Sequence, residues 1–368
     1  MTRRTAVVAG GGIGGLAAAI GLRRAGWSVT VLERRADPGE IGAGWSFAPN
    51  AIRAADALGV GAEFRAISVP TQAGATLRTP DGKYLMRFRE GRDTALLANH
   101  RADLHRVLLA HVPAECVRAE AEVTEVDQTD TGVTATYGTS EGAQRIEADV
   151  LVGADGIHSI VRPTTPVFQR ILCWRGVATR GSVWPVDGFQ TWGRGARFGA
   201  HPLTGQRVFW FLTIRQNEPG QPFDDDLAEV RRRVGLWHDP IPALLDATPS
   251  NSILRHDISD LDPLETYVDG RIVLLGDAAH AMTPFLAQGA CQALEDAAVL
   301  AAELTGAVEI PTALAQYDRQ RSQRVQRMAR QDPRISLSTS PLVYGLLTRL
   351  TRLAARKAAR LWNWTPPT

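Results

Sequence analysis

Residues 5–34 read TAVVAGGGIGGLAAAIGLRRAGWSVTVLER, and this stretch decides the fold. A short apolar run, Ala6 to Ala9, predicts a buried strand, and it runs into Gly10-Gly11-Gly12-Ile13-Gly14-Gly15. Gly10, Gly12 and Gly15 occupy the three glycine positions of G-x-G-x-x-G. An Ala- and Leu-rich helix follows to Arg24, Gly26 stops it, and a second strand, Ser28 to Leu32, ends on Glu33. Strand, glycine turn, helix and strand form a βαβ unit with the dinucleotide fingerprint in its expected place. Gly10 permits the tight turn, Gly12 lets backbone approach a diphosphate, and Gly15 lets helix and strand pack closely. The open N–H groups around Ile13 and Gly14 and the helix dipole suit an anion. Glu33 stands where a carboxylate takes the ribose hydroxyls of an adenosine. A Gly-rich turn without a ligand is the alternative; the strand, helix and terminal Glu together weigh against it.

Outward from this unit, the chain has 368 residues, room for two domains. It is 44% hydrophobic and 22% charged, as in ordinary globular proteins. A net charge of +2 gives no reason to expect nucleic acid as a partner. Cys116, Cys173 and Cys291 are too few and scattered for a disulfide framework or a metal site, and they fit a reducing compartment. The N-terminus enters a strand almost at once, so the expectation is a cytoplasmic protein without a signal peptide. No apolar run approaches the ~18–20 residues of a membrane span.

Further along, Arg34 to Asn50 is a Gly- and Pro-rich loop ending near Gly44; loops this close to a nucleotide site often touch the cofactor. A helix is expected over Pro49 to Leu58, ended by Gly59. From Thr71 to Ala98 short alternating strands surround a Pro80–Gly82 turn, a hairpin that starts a second layer. Arg101-Ala102-Asp103-Leu104 opens a helix to His111; Val117 to Glu125, Gly132 to Tyr137 and Arg145 to Val152 read as strands. Gly153-Ala154-Asp155-Gly156 follows the last of these and is expected to turn into a helix carrying Ser159 and Arg162. Taken alone, that corner also fits ordinary strand–turn–helix structure. Arg207 to Ile214, RVFWFLTI, predicts a strand buried on both faces. Ile272 to Leu275 is a buried strand ended by Gly276-Asp277, and a loop with Pro284 and Gly289 leads into a long helix.

The N-terminal fingerprint with Glu33, the Asp155-Gly156 turn and the Gly276-Asp277 strand end recur in this order in the single-component flavin aromatic hydroxylases, which nearly the whole chain resembles. The resemblance implies an α/β fold with a Rossmann-like FAD-binding domain interleaved with a β-sheet substrate domain. The expected division is 1–70, 98–173 and 256–330 for FAD, 71–97 and 174–255 for substrate, and 331–368 as C-terminal helices. It further implies non-covalent FAD, with the diphosphate on Gly10, Gly12 and Gly15 and the ribose on Glu33. Arg101 would lie along the cofactor and Asp155 and Gly156 beside both FAD and NAD(P)H. Asp277 would bond the ribityl chain, and Pro284, Gln288, Gly289 and Ala290 would border the isoalloxazine. The implied activity is hydroxylation or epoxidation of an aromatic compound through a C4a-hydroperoxyflavin, with NAD(P)H as transient reductant and O2 as co-substrate, in a monomer or homodimer. A flavin reductase without oxygen insertion and a flavin-binding sensor remain the other classes. The segment between Arg162 and Trp174 is several residues shorter than is usual in such families.

With no metal constellation and no nucleophile motif, the cofactor must carry the hard step. Candidate substrate contacts are Arg197, His201, Phe209 and Phe211. Phe209 and Phe211 share a strand face, and either stack on a planar substrate or pack the core. Base rates favour a solvated Arg197. Urate-hydroxylating relatives match Arg197 but carry Tyr for Phe209. Few fixed charges and many aromatics, with Trp174 and Pro284 expected at the same cavity, rank bulky ring systems above benzoates. Trp362-Asn363-Trp364 is similar to a halogenase motif but sits out of context. The basic helix expected over 335–364 reads as packed on its own protein, charges outward.

Overall fold

The computed structural model of the chain describes residues 3–37, 43–72, 76–87, 95–179, 188–306, 309–329 and 361–367. The basic residues of the expected last helix, and Ile41 and Gly42, lie outside them.

The opening βαβ unit stands as expected: strand Thr5–Ala9, helix Ile13–Arg24 and strand Ser28–Leu32. Thr5–Ala9 lies in the middle of a six-stranded sheet, parallel to Ser28–Leu32 on one side and to Val150–Gly153 on the other. Ile272–Leu274 pairs parallel outside Val150–Gly153. These strands are Val- and Leu-rich because both faces are covered, as a parallel sheet requires. On one face lie the helices Ile13–Arg24 and Gly289–Glu303; the other packs on a three-stranded antiparallel sheet. Helix Pro49–Leu58 starts with Pro at its first turn and ends at Gly59, whose φ of 80° supplies the left-handed cap.

A second, seven-stranded sheet holds Val167–Thr179, Phe189–Gly193, Ala196–Leu203, Arg207–Arg215 and Leu254–Asp260, with the hairpin Thr76–Arg78 and Tyr84–Arg87 at its edge. One face is sealed by the helices Asp226–Val234 and Ile241–Asp246. Asp225 caps the first of these, accepting the N–H groups of Leu227 and Ala228 at 2.8 and 3.0 Å. The other face is turned to a small antiparallel sheet of Gly44–Phe47, Ala95–His100 and Val69–Gln72, where Phe209 and Leu203 meet Ala98 and Ala43.

Three expectations about strands change, and one helix is new. The strand expected over Val117–Glu125 splits at Glu120, which has a φ of 51°: Val117–Arg118 edges the six-stranded sheet and Glu122–Gln128 joins the three-stranded one. The run Arg145–Val152 likewise divides into Gly142–Ala148 and Val150–Gly153. At the joint the Asp149 carboxylate accepts the Thr5 N–H at 2.7 Å, so one chain segment serves two sheets. The short segment before Trp174 is a strand from Val167, and it pairs with Leu254–Asp260; both cross the boundaries expected at 173/174 and 255/256. The twenty-residue helix Ile310–Ala329, which the sequence pattern did not single out, crosses behind Gly289–Glu303.

Candidate active site

The glycine turn is built by backbone packing. Gly10 has a φ of 104°, and a Cβ there would stand 2.4 Å from the Ala154 carbonyl oxygen. A Cβ on Gly15 would stand 1.9 Å from the Gly10 oxygen, and one on Gly14 would stand 2.7 Å from Leu275 Cδ1. Gly12 differs, because nothing lies within 4 Å of a Cβ placed on it. The first and third glycines are therefore demanded by the protein, and the middle one leaves an open cradle at a helix N-terminus. That is where a diphosphate fits. The Ile13 side chain is buried, so only its backbone faces the cradle.

Glu33 is held at the loop: its Oε2 accepts the Gly11 N–H at 2.7 Å and its Oε1 the Arg35 N–H at 2.9 Å. His105, on helix Arg101–Ala110, places Nε2 2.8 Å from the Gly11 carbonyl oxygen. A cleft of about 260 Å³ brings together Gly10, Gly12, Glu33, Arg34, Arg101, Asp155 and Gly156. The Arg101 guanidinium lies 5.1 Å over the Trp45 ring. Residues 154–166 form turns instead of the expected helix, because Asp155 folds its own loop: its Oδ2 accepts the Ile160 N–H at 2.8 Å. Its buried Oδ1 has no partner among the described residues. Arg162 is turned from the cleft and donates to the Thr266 carbonyl at 2.7 Å.

A second group of expected residues gathers at the end of Ile272–Leu274. Gly276 adopts φ 59° and ψ −142°, a region open to glycine, and the exposed Asp277 follows it. A Cβ on Gly289 would stand 3.9 Å from Asp277 Oδ1. Pro284 opens a single 3-10 turn on the surface. Ala290 is buried, and the Gln288 side chain is turned inward, where its Oε1 accepts from Asn50 at 3.0 Å and Gln292 at 2.9 Å. Gly44 lies elsewhere, against the Phe209 side chain.

Beneath this group lies a polar cluster the sequence reading missed. Arg321, Glu295 and Asp296 are all 0% exposed. Arg321 Nε donates to Asp296 Oδ1 and its Nη1 to Glu295 Oε2, each at 2.6 Å. Asp296 Oδ2 accepts the Gly276 N–H at 3.0 Å and pairs with His280 Nε2 at 2.6 Å. Glu295 Oε1 accepts from Asn50 at 2.6 Å, and Arg324 joins Glu295 to the Leu361 carbonyl. Burial alone would raise the Asp296 carboxyl, but His280 and Arg321 hold it down to about 2. The one signal in sequence was a Glu-Asp pair inside an otherwise apolar helix; Arg321, 25 residues on, gave none.

On the substrate-sheet face, Arg197 is 6% exposed, which corrects the solvated reading. Its guanidinium is layered between Trp192 at 4.4 Å and Phe285 at 4.9 Å, so cation–π contact replaces hydration. Phe209 stacks beside His201 at 6.5 Å and Phe211 at 6.1 Å. Burial pushes the His201 imidazole down to about 4, so it is neutral at pH 7. Trp174 does not share this cavity. It is wholly buried on the opposite face, where its Nε1 donates to Asp226 at 2.7 Å.

Fold, open cradle and cleft together define a dinucleotide-binding protein of the Rossmann type. Residues 3–332 match the family described as FAD binding domain. The aurachin C monooxygenase/isomerase of Stigmatella aurantiaca is 37% identical over 331 residues, 88% of this chain and 86% of that protein. The 3-hydroxybenzoate 6-hydroxylase 1 of Aquipseudomonas alcaligenes is 34% identical over 357 residues, with coverages of 88% and 86%. The crystal structure of Klebsiella pneumoniae HpxO complexed with FAD and uric acid superposes with a TM-score of 0.85 at 26% identity, covering 98% of this chain and 96% of that one. The chain belongs to the FAD-dependent aromatic hydroxylase family, binds FAD and is a monooxygenase. No helix among the described residues is long and apolar enough to cross a membrane.

Proposed function

We propose that this monooxygenase hydroxylates a planar, mostly apolar aromatic compound, with NAD(P)H as electron donor and O2 as co-substrate. Bound FAD, once reduced, supplies oxygen activation and transfer of one oxygen atom to the ring. The chain's own residues bind and orient. Gly10, Gly12 and Gly15 shape the diphosphate cradle, and Glu33 takes the ribose hydroxyls. Arg101, Asp155 and Gly156 flank the cofactor, Asp277 bonds its ribityl chain, and the backbone of 284–290 borders the ring. The substrate lies between that loop and the sheet face of Trp192, Arg197, Phe209 and Phe211. In this division the FAD part keeps the six-stranded sheet, and the strands Val167–Thr179 and Leu254–Asp260 go with the substrate part.

The observation that supports the reading is the aromatic wall on the sheet face away from the sealing helices, with the buried Arg197 layered between Trp192 and Phe285. The same cation favours a second reading. A small aromatic carboxylate needs a desolvated Arg in good geometry, and Arg197 is desolvated. Two experiments decide. First, NAD(P)H-dependent O2 consumption is measured over a panel of indoles, quinolines and hydroxybenzoates, with an oxygenated product identified. Hydride transfer without oxygen insertion would make the protein a reductase. Second, Arg197→Met is tested on the best substrates. Turnover of a bulky neutral ring retained within about tenfold supports the first reading. Loss of hydroxybenzoate binding, with hydroxybenzoates the best substrates, establishes Arg197 as a carboxylate clamp.

A further inference from the structure

We propose that Asp296 is a positioning residue for the FAD site, holding the Gly276–Asp277 turn in the backbone geometry that presents Asp277 to the cofactor. The inference rests on the proposed placing of Asp277 at the ribityl chain. Gly276 sits in a backbone region that glycine enters freely and other residues rarely do, so a glycine there has several conformations open to it and a contact must select this one. The enforcing contact is the 3.0 Å hydrogen bond from the Gly276 N–H to Asp296 Oδ2. That oxygen is fixed by His280 at 2.6 Å, and the other carboxylate oxygen by Arg321 at 2.6 Å. The carboxylate therefore has no freedom to follow the turn; the turn must follow it. Asp296 touches neither cleft nor substrate face; it reaches Asp277 through the Gly276 N–H and through His280, at the far end of the short helix Asp277–His280. An isolated buried ion pair has no need of a backbone N–H, whereas this carboxylate spends one lone pair on the residue preceding Asp277.

The test compares Asp296→Asn and Asp296→Leu, which match in shape and both lose the charge facing Arg321. Only Asn keeps an oxygen for the Gly276 N–H. FAD affinity is read by quenching of flavin fluorescence, and stability by the Tm of the apoprotein. The expected result is a lowered Tm in both variants, FAD affinity within about threefold of wild type for Asn, and a loss of tenfold or more for Leu. A structural role alone predicts affinity that follows Tm in both. Equal weakening of the two variants, or none in either, overturns the proposal. Both changes are also made in the Arg321→Met background, where no buried guanidinium is left facing a lost partner. A third readout needs no Leu variant: hydrogen exchange over residues 272–282 of the FAD-loaded Asn protein must stay as slow as in wild type, and faster exchange overturns the proposal. Asp277→Ala run alongside separates the two ideas. If it weakens FAD binding tenfold while Asp296→Leu does not, the positioning role alone falls. If neither weakens binding, the placing of Asp277 at the cofactor falls and the positioning role with it.

Discussion

Replacing Gly12 and Gly15 by Ala, one at a time, should damage two different things. At Gly15 the new Cβ would lie 1.9 Å from the backbone oxygen of Gly10, which belongs to no flexible side chain. Helix Ile13–Arg24 must move away from the strand end. Overpacking of this kind costs about 1–3 kcal/mol or more, enough to lower the Tm by several degrees. At Gly12 the backbone is φ −73° and ψ −176°, which Ala adopts freely, and no atom lies within 4 Å. The apoprotein should gain about 0.4–1 kcal/mol through a less flexible unfolded chain. The same Cβ would occupy the cradle, pushing a diphosphate outward on the order of 1 Å and losing at least one charge-assisted hydrogen bond worth about 1.5–3 kcal/mol. That amounts to roughly a tenfold to hundredfold loss in FAD affinity. Differential scanning fluorimetry on the apoproteins and flavin-fluorescence titration measure both quantities. A Gly12→Ala protein that binds FAD as wild type does would refute the reasoning, since the open space would then hold no phosphate.

Arg321→Met should destabilise the protein by about 3–5 kcal/mol in urea unfolding, because Asp296 and Glu295 stay buried with less compensation; a loss below about 1 kcal/mol would mean that Arg324 and His280 carry the cluster alone. Acid should act on the same group. The Asp296 carboxyl is held near 2 when folded, against about 3.9 unfolded, so its contribution is present above pH 4 and is lost as pH falls towards 2. The fall in unfolding free energy over that window should be shallower in Asp296→Asn than in wild type. All three cysteines are buried, and burial pushes the Cys291 thiol up to about 12, so Ellman's reagent at pH 8 should label none in the native protein and all three in guanidinium.

The nucleotide half of the molecule was legible because its signals are local. Gly10, Gly12, Gly15 and Glu33 lie within one βαβ unit, and their spacing carries the packing constraint that the structure shows. Strand ends and turns such as Gly276-Asp277 were legible for the same reason. What failed was whatever depended on distant partners. Arg197 looked solvated because a lone Arg on a strand usually is; Trp192 from the neighbouring strand and Phe285 from a loop 88 residues away cover it. Trp174 was placed on the wrong face because alternation fixes which residues share a face but not which face meets the cofactor layer. The splits at Glu120 and Asp149 escaped notice because apolar alternation continues across them while the sheet partner changes. The Asp296 cluster needs Arg321 from another helix, and no periodicity links the two.

The first strand made waits long for its second neighbour, and that neighbour longer still for its own. Thr5–Ala9 finds one neighbour at residues 28–32, but the other at 150–153, and Ile272–Leu274 closes that side later still. At about 5–20 residues per second of synthesis, the interval between residues 32 and 274 is on the order of ten seconds to a minute. Through that time an apolar parallel half-sheet has an unpaired edge, the surface most prone to capture by another nascent chain. The substrate sheet, whose strands lie mostly within residues 167–260, emerges complete inside this interval. Fragments ending before Leu274 therefore lack the strand Ile272–Leu274 that covers Val150–Gly153, and expression of this chain should depend on translation speed and on chaperones that shield the open edge.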